Sequence, residues 1–172
     1  MNDNVFLIGV VKMKHINTAH TDALLELINH SPYSELLEMR FCELGIGYAK
    51  LEVDLQRKHR NTFNIIHGGV YSSLIDTAAY WSIYYNLDDN VNYTSVDLSI
   101  SNLSMVSEGK IIVEGNSIKI GRSICLAEAT VKGENGKLIA HGTSKLMILK
   151  EKQSVNSVLA AMGCKELPSK YM

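Results

Sequence analysis

The sequence predicts an α+β fold in which an antiparallel sheet wraps around one long central helix, and three observations carry that prediction. Residues 48–55 and several segments after residue 92 alternate apolar and polar side chains, the period of two that a half-buried strand requires. Short gaps of turn residues separate the later segments, so consecutive strands return on one another as antiparallel hairpins. Between the first strand and the rest lies one apolar segment of helical spacing, Gly68–Leu87, whose only charge is Asp76.

The elements follow in chain order. Thr21 or Asp22 is placed to cap a first helix over Ala23–Asn29, and Ser31 followed by Pro32 offers a cap and an N1 proline for a second over Tyr33–Met39. In Tyr48–Leu55, Ala49, Leu51, Val53 and Leu55 share one face while Lys50, Glu52 and Asp54 take the other. On the long segment Val70, Leu74, Ala78, Trp81 and Tyr85 join Tyr71, Ile75 and Ala79 in an arc of about half the circumference. A helix that apolar is surrounded by protein. Its five aromatics from Tyr71 to Tyr85 are expected in the core. Val96, Leu98 and Ile100 then alternate with Ser95, Asp97, Ser99 and Ser101. Lys110–Ile120, Arg122–Val131 and Leu138–Leu149 are rich in Ile, Val, Leu and Thr, and turn residues (Gly121; Gly133 to Gly136) part them. The expected organisation is an N-terminal extension over residues 1–30, a domain over 31–150, and a tail or short helix over 151–172. Val5–Ile16 reads as an added strand or a cover over an interface.

Length and charge exclude several classes. A chain of 172 residues favours one domain with a core of its own. Its 17 basic and 18 acidic residues give a net charge of -1, without the basic excess that phosphate-backbone binding brings. No run of like charges suggests a membrane patch, so neither nucleic acid nor membrane is an expected partner. The apolar run Val5–Val11 is shorter than the about 20 residues a membrane span needs, and it lacks the charged start of a secretory signal. Cys42, Cys125 and Cys164 are odd in number and unpaired in spacing, which points to free thiols in a reducing compartment and a cytoplasmic protein. His15, His20, His30, His59 and His141 show no metal-ligand spacing, so no metal is expected.

Chemistry concentrates between Asn61 and Asp76. Gly68 and Gly69 open the buried helix, where backbone N–H groups lack internal partners and the helix dipole is positive. Such a place suits a carbonyl oxygen that gains negative charge in a transition state; a tight turn would equally call for two glycines. Asp76 is a lone carboxylate among Ser72, Ser73 and Tyr80, placed as base or nucleophile or simply solvated at the helix edge. His67 either holds the loop or exchanges a proton. Arg122, after Gly121 in a turn, either meets a phosphate or is a solvated hairpin charge.

Taken together and in order, several motifs resemble the hotdog-fold acyl-CoA thioesterases of the phenylacetyl-CoA and 4-hydroxybenzoyl-CoA type. They are Ser31-Pro-x-x-x-Leu-Leu, then Asn61-x5-His67-Gly68-Gly69-x6-Asp76, Asp76-Thr-Ala-Ala, Ser95-Val-Asp-Leu-Ser-Ile, Ile120-Gly-Arg-Ser and Ala140-His-Gly-Thr. The similarity runs from Ser31 to about Leu149. It implies hydrolysis of an acyl-CoA thioester with CoA as leaving group, CoA being part of the substrate and no cofactor being needed. Asp76 matches the catalytic carboxylate, Gly68 the N–H that polarises the carbonyl, Asn61 the group that positions water and thioester, Ser95 a hydroxyl near the water, and His67 an orienting histidine. Gly69, Ser73, Gly121 and Arg122 are expected at the substrate, Arg122 near the CoA phosphates. A non-catalytic acyl-CoA sensor would need neither Asp76 nor Asn61, and a 3-hydroxyacyl dehydratase would space its histidine and carboxylate differently. Three departures stand out: Asn64 where glycine is usual, Met105 where proline often ends the strand, and Asn102 where an aromatic is common. The last two are expected to reshape the acyl or pantetheine pocket.

Spacing adds a constraint. Gly68 and Asp76 are eight residues apart on one helix, about 12 Å along its axis. An aspartate cannot span that gap to a carbonyl held at its own Gly68, so the two must come from different chains. A homodimer with shared sites is expected, and a dimer of dimers beyond it.

Overall fold

The chain buries its helix by curling a single sheet round it. In a computed structural model, described for residues 15–89, 91–149, 154–161, 163 and 165–172, the elements are helices α1 (Thr18–Asn29) and α2 (Pro32–Leu37), strands β1 (Arg40–Gly45) and β2 (Tyr48–Leu55), helix α3 (Gly68–Ser82), strands β3 (Tyr93–Asn102), β4 (Gly109–Lys119), β5 (Ile124–Gly133) and β6 (Leu138–Ile148), and helix α4 (Val155–Ala161). The six strands form one antiparallel sheet in the order β1-β2-β4-β5-β6-β3.

α3 lies against the concave face. Leu74, Ile75, Ala78 and Ala79 are fully buried there. Two glycines on the inner face set the approach: a Cβ at Gly115 would collide with the Ala78 carbonyl, and one at Gly142 would come within 3.0 Å of the Ile75 side chain. The helix stops at Ser82 rather than Leu87, and a 3-10 turn over Tyr84–Asn86 follows.

Other elements depart from the sequence expectations for local reasons. α1 starts a turn early because Asn17, not Thr21 or Asp22, caps it, accepting from the Ala19 N–H at 3.1 Å. The Thr21 hydroxyl instead meets the Tyr85 hydroxyl at 2.6 Å. α2 has Ser31 at its cap position and Pro32 at N1 as expected, but it ends at Leu37 because Glu38 turns left-handed at φ 54°. Strand β1 was not foreseen: a bulge between Phe41 and Glu43 breaks the alternation that would have revealed it. Arg122 precedes β5 instead of opening it.

β3 is a sheet edge paired only with β6, and a register shift between Ser95 and Asp97 leaves Val96 and Leu98 at 50% and 38% exposure. The expected apolar face of this strand is therefore half open. The C-terminal segment folds back. Leu159 and Leu167 join the core with Leu24 and Ile28 of α1, and Ile16 bridges to Tyr171. Apart from His15 and Ile16, the N-terminal segment discussed above lies outside the described residues, as does Cys164; Cys42 and Cys125 are free thiols. No helix among the described residues is long and apolar enough to cross a membrane.

Candidate active site

The loop before α3 is fixed by its own polar groups. The Asn61 carboxamide oxygen accepts from the Phe63 N–H at 2.9 Å and the Ile65 N–H at 3.4 Å, while the Asn61 N–H donates to the Ile65 carbonyl at 2.8 Å. Asn64 adopts φ 62°, which explains why asparagine can replace a glycine there: it tolerates the left-handed region better than most residues. Arg60 donates to its side chain at 3.0 Å. His59 anchors the loop from below. Its Nδ1 accepts from the Gln56 N–H, Nε2 donates to the Leu37 carbonyl, and the His59 carbonyl accepts from the His67 N–H. Burial, with Lys58 alongside, holds the His59 imidazole below its ordinary pKa.

This loop delivers His67 to the N-cap of α3. Its Nδ1 accepts from the Gly69 N–H at 2.8 Å, so the proton of the neutral ring sits on Nε2. His67 thus orients the helix start. Gly69 is glycine because a Cβ would lie 2.9 Å from that nitrogen. With Val70 bonded to the His67 carbonyl, the Gly68 N–H is left without an acceptor among the described residues, at the positive end of the helix. Asn102, at the end of β3, places Nδ2 2.9 Å from where a Gly68 Cβ would stand. The Asn102 amide therefore lies beside the start of α3, in the space that a side chain at position 68 would claim.

Asp76 lies two turns further along, half-buried. Its Oδ1 accepts from the Ser144 hydroxyl at 3.2 Å, and Ser144 is fully buried on the inner face of β6. Ser144 was missed from the sequence, although the alternation Ala140, Gly142, Ser144, Leu146 marks it as the one polar side chain on that inward face. Ser95 is half-buried opposite Leu146 and makes no side-chain hydrogen bond to Asp76. Ser73 donates to the Gly69 carbonyl at 3.0 Å and meets the Tyr33 hydroxyl at 2.6 Å, joining α2 to α3.

A single chain does not gather all these groups. Gly68 and Asp76 are held apart by the straight run of one helix. Gly121 and exposed Arg122 sit beyond the far end of α3, since neighbouring Cys125 packs with Ala79 and Ile83. A Cβ at Gly121 would strike the Ile124 carbonyl, so this glycine shapes the turn. Asn102 stands at the helix start, and Met105 is 78% exposed in the single chain. Of the α3 aromatics and their neighbours, Tyr71, Tyr84 and Tyr85 belong to the core, whereas Tyr80 and Trp81 face a cavity. No group of three His, Cys, Asp or Glu side chains gathers as a metal site among the described residues.

Comparison with known proteins agrees with this architecture. Residues 63–140 match the model of the thioesterase superfamily. A protein of Archaeoglobus fulgidus named "Putative esterase" is 29% identical over 130 residues, covering 72% of this chain and 82% of its own. A thioesterase from Haemophilus influenzae superposes with a TM-score of 0.69 at 20% identity, covering 74% of this chain and 89% of its own. Zebrafish thioesterase superfamily member 2 superposes with a TM-score of 0.68 at 23% identity, covering 78% and 99%. With a six-stranded antiparallel sheet wrapped round α3, the chain has the hotdog fold, and its residues 63–140 carry the match to the thioesterase superfamily.

Proposed function

We propose that the protein hydrolyses acyl-CoA thioesters in the cytoplasm, at sites shared by two copies of the chain. The observation that carries this is the pairing, on one rigid helix, of an unengaged N–H at Gly68 with an oriented carboxylate at Asp76, about 12 Å apart. Each site combines the Gly68 end of one protomer with Asp76 of the other, the two helices running antiparallel. The open β3 edge, with Val96 and Leu98 exposed, offers a second copy a strand to pair with.

In this scheme the Gly68 N–H polarises the thioester carbonyl, with the Asn102 amide as second donor, as charge develops on oxygen. Asp76, oriented by Ser144, takes a proton from water as the C–O bond forms; a direct attack by its carboxylate is the alternative. The C–S bond then breaks, and the departing CoA sulfur receives the proton. Asn61 and His67 hold the loop that presents Gly68, Ser95 lies near the water, and Ser73 and Gly69 flank the substrate. Arg122, from the far end of a helix that runs antiparallel in the partner, is the candidate for the CoA phosphates. A dimer of dimers is the larger assembly proposed. The chemistry is complete without a cofactor.

Thiol release from a panel of CoA esters tests the reaction, with Asp76→Ala expected to lose about 100-fold or more. Co-expressed Gly68→Val and Asp76→Ala chains test the sharing. Each hybrid dimer keeps one intact site, so about a quarter of wild-type activity returns. Turnover that survives Asp76→Ala, or hybrids with none, would overturn the scheme.

A further inference from the structure

A cavity of about 1040 Å³ runs along α3 from Thr77, the residue after Asp76, to Trp81. It is at the upper end of the roughly 300–1,000 Å³ typical of small-molecule sites. One wall is Thr77, Tyr80, Trp81 and Asn92; the other is built by α1, α2, α4 and the residues beside them, with 165–168, all outside the matched residues 63–140. The inner surface is apolar, with Leu27, Val158 and Leu167 facing the aromatics, while the charged members Glu26, Lys165 and Glu166 are exposed at the rim. Trp81 stays half-buried, leaning on Tyr80 and Tyr84 with ring centroids 5.4 and 5.5 Å away. The Tyr33–Ser73 hydrogen bond lies one turn before Thr77, on the Gly68 side.

We propose that this cavity receives the acyl end of the thioester and selects long, wholly apolar acyl groups. The proposal rests on the thioesterase reading above. A carbonyl at Asp76 leaves its alkyl chain beside Thr77, and the groove leads it toward Trp81 and under α4. On the lining, the polar side chains of Ser31, Thr77, Asn92 and Ser154 already have partners within the chain, whereas the open apolar wall gains from every methylene it covers. Because the outer wall comes from one chain's own flanking segments, these segments set chain-length preference while residues 63–140 supply the reacting groups.

The test uses the full-length protein and S-alkyl CoA thioethers, which bind but cannot be hydrolysed. A fully buried methylene tightens binding roughly threefold to fourfold, so with partial burial S-dodecyl-CoA is expected to bind at least about 30-fold tighter than S-butyl-CoA by calorimetry. Val158→Trp fills the cavity from its outer wall, far from Asp76 in sequence and on an exposed helix face. It is expected to erase the gain for the dodecyl thioether and to leave S-butyl-CoA binding within about threefold. Ala23→Phe, on α1, serves as the second filling variant should Val158→Trp fold poorly. A length gradient absent from wild type, or unchanged in both variants, overturns the proposal; a second copy's segment occupying the groove would give that result. The two readings fail separately. Ester turnover without a length gradient sinks the acyl cavity alone, whereas a Val158-sensitive binding gradient with no thiol released from any ester sinks the hydrolase reading and leaves the cavity standing.

Discussion

The two ends of α3 are built on opposite plans. At its C-terminal end the tyrosine hydroxyls are engaged, that of Tyr80 with the Tyr93 carbonyl. The Tyr84 hydroxyl meets His20 at 2.9 Å, and the Tyr85 hydroxyl meets Thr21. Lys170, only 2% exposed, donates to the Tyr84 and Leu87 carbonyls at 2.6 and 2.7 Å and lies 4.1 Å over the Tyr84 ring. Tyr171 donates to the Tyr85 carbonyl. At the N-terminal end the same helix leaves the Gly68 N–H unengaged, with the Asn102 amide brought beside it. Buried polar groups are almost always paired, so the paired end is scaffold, and the end with spare donors is where a ligand can complete the structure.

The largest effect separating the two ends is expected at Asn102. Asn102→Asp replaces a donor by a carboxylate at the place where an oxyanion would form. Its kcat is expected to fall about 100-fold, and Asn102→Ala less far, with KM moving little in either. Steady-state kinetics on one CoA ester checks both. Equal kcat values in wild type and Asn102→Asp would make this end scaffold too.

The matching perturbation at the other end is expected to reach stability and leave chemistry alone. Lys170→Met keeps the length of the side chain but leaves two carbonyls short of a donor, at a cost of about 2–3 kcal/mol. A lower denaturant midpoint with kcat unchanged is the expected result. A fall in kcat without loss of stability would mean that Lys170 itself acts at the reacting groups.

How much of this was legible in the sequence follows from the range of the interactions. α3 and strands β2, β4, β5 and β6 repeat a local period over eight or more residues, and periodicity survives without knowledge of the fold. β1 is six residues long with a bulge, too short and irregular for a period to show. Thr21 and Asp22 are cap residues by type just as Asn17 is, and type alone does not show which one starts α1. Asp76, Gly68 and His67 stood out by type and spacing, and the cap geometry of His67 fits the orienting part. Ser144 and Asn102 belong to strands far away in sequence. Asn102 was noticed as an unusual residue, yet only the turn of β3 toward the helix start says what it touches. α1 and α2 showed through their cap and proline residues, whereas α4 is seven residues long, too short for a helical period to stand out.

Tyr71 gives the smallest effect and the sharpest test of the contrast. It sits in the first turn of α3, 3% exposed, and its hydroxyl has no partner among the described residues, while burial pushes its pKa up to about 12. An unengaged group at the reactive end looks, by the comparison above, like a second piece of machinery. Its accessibility argues otherwise: the oxygen is sealed from solvent, so no substrate atom can reach it without opening the core. Removing a buried, unsatisfied hydroxyl lifts a desolvation cost, and Tyr71→Phe is expected to be neutral or to stabilise by up to about 1 kcal/mol, with kcat/KM unchanged. Chemical denaturation and thiol-release kinetics on the same preparation check it. A drop in turnover would instead bring Tyr71 into the site and would mean that the helix start opens during the reaction, because a spare donor does chemistry only where a ligand can arrive.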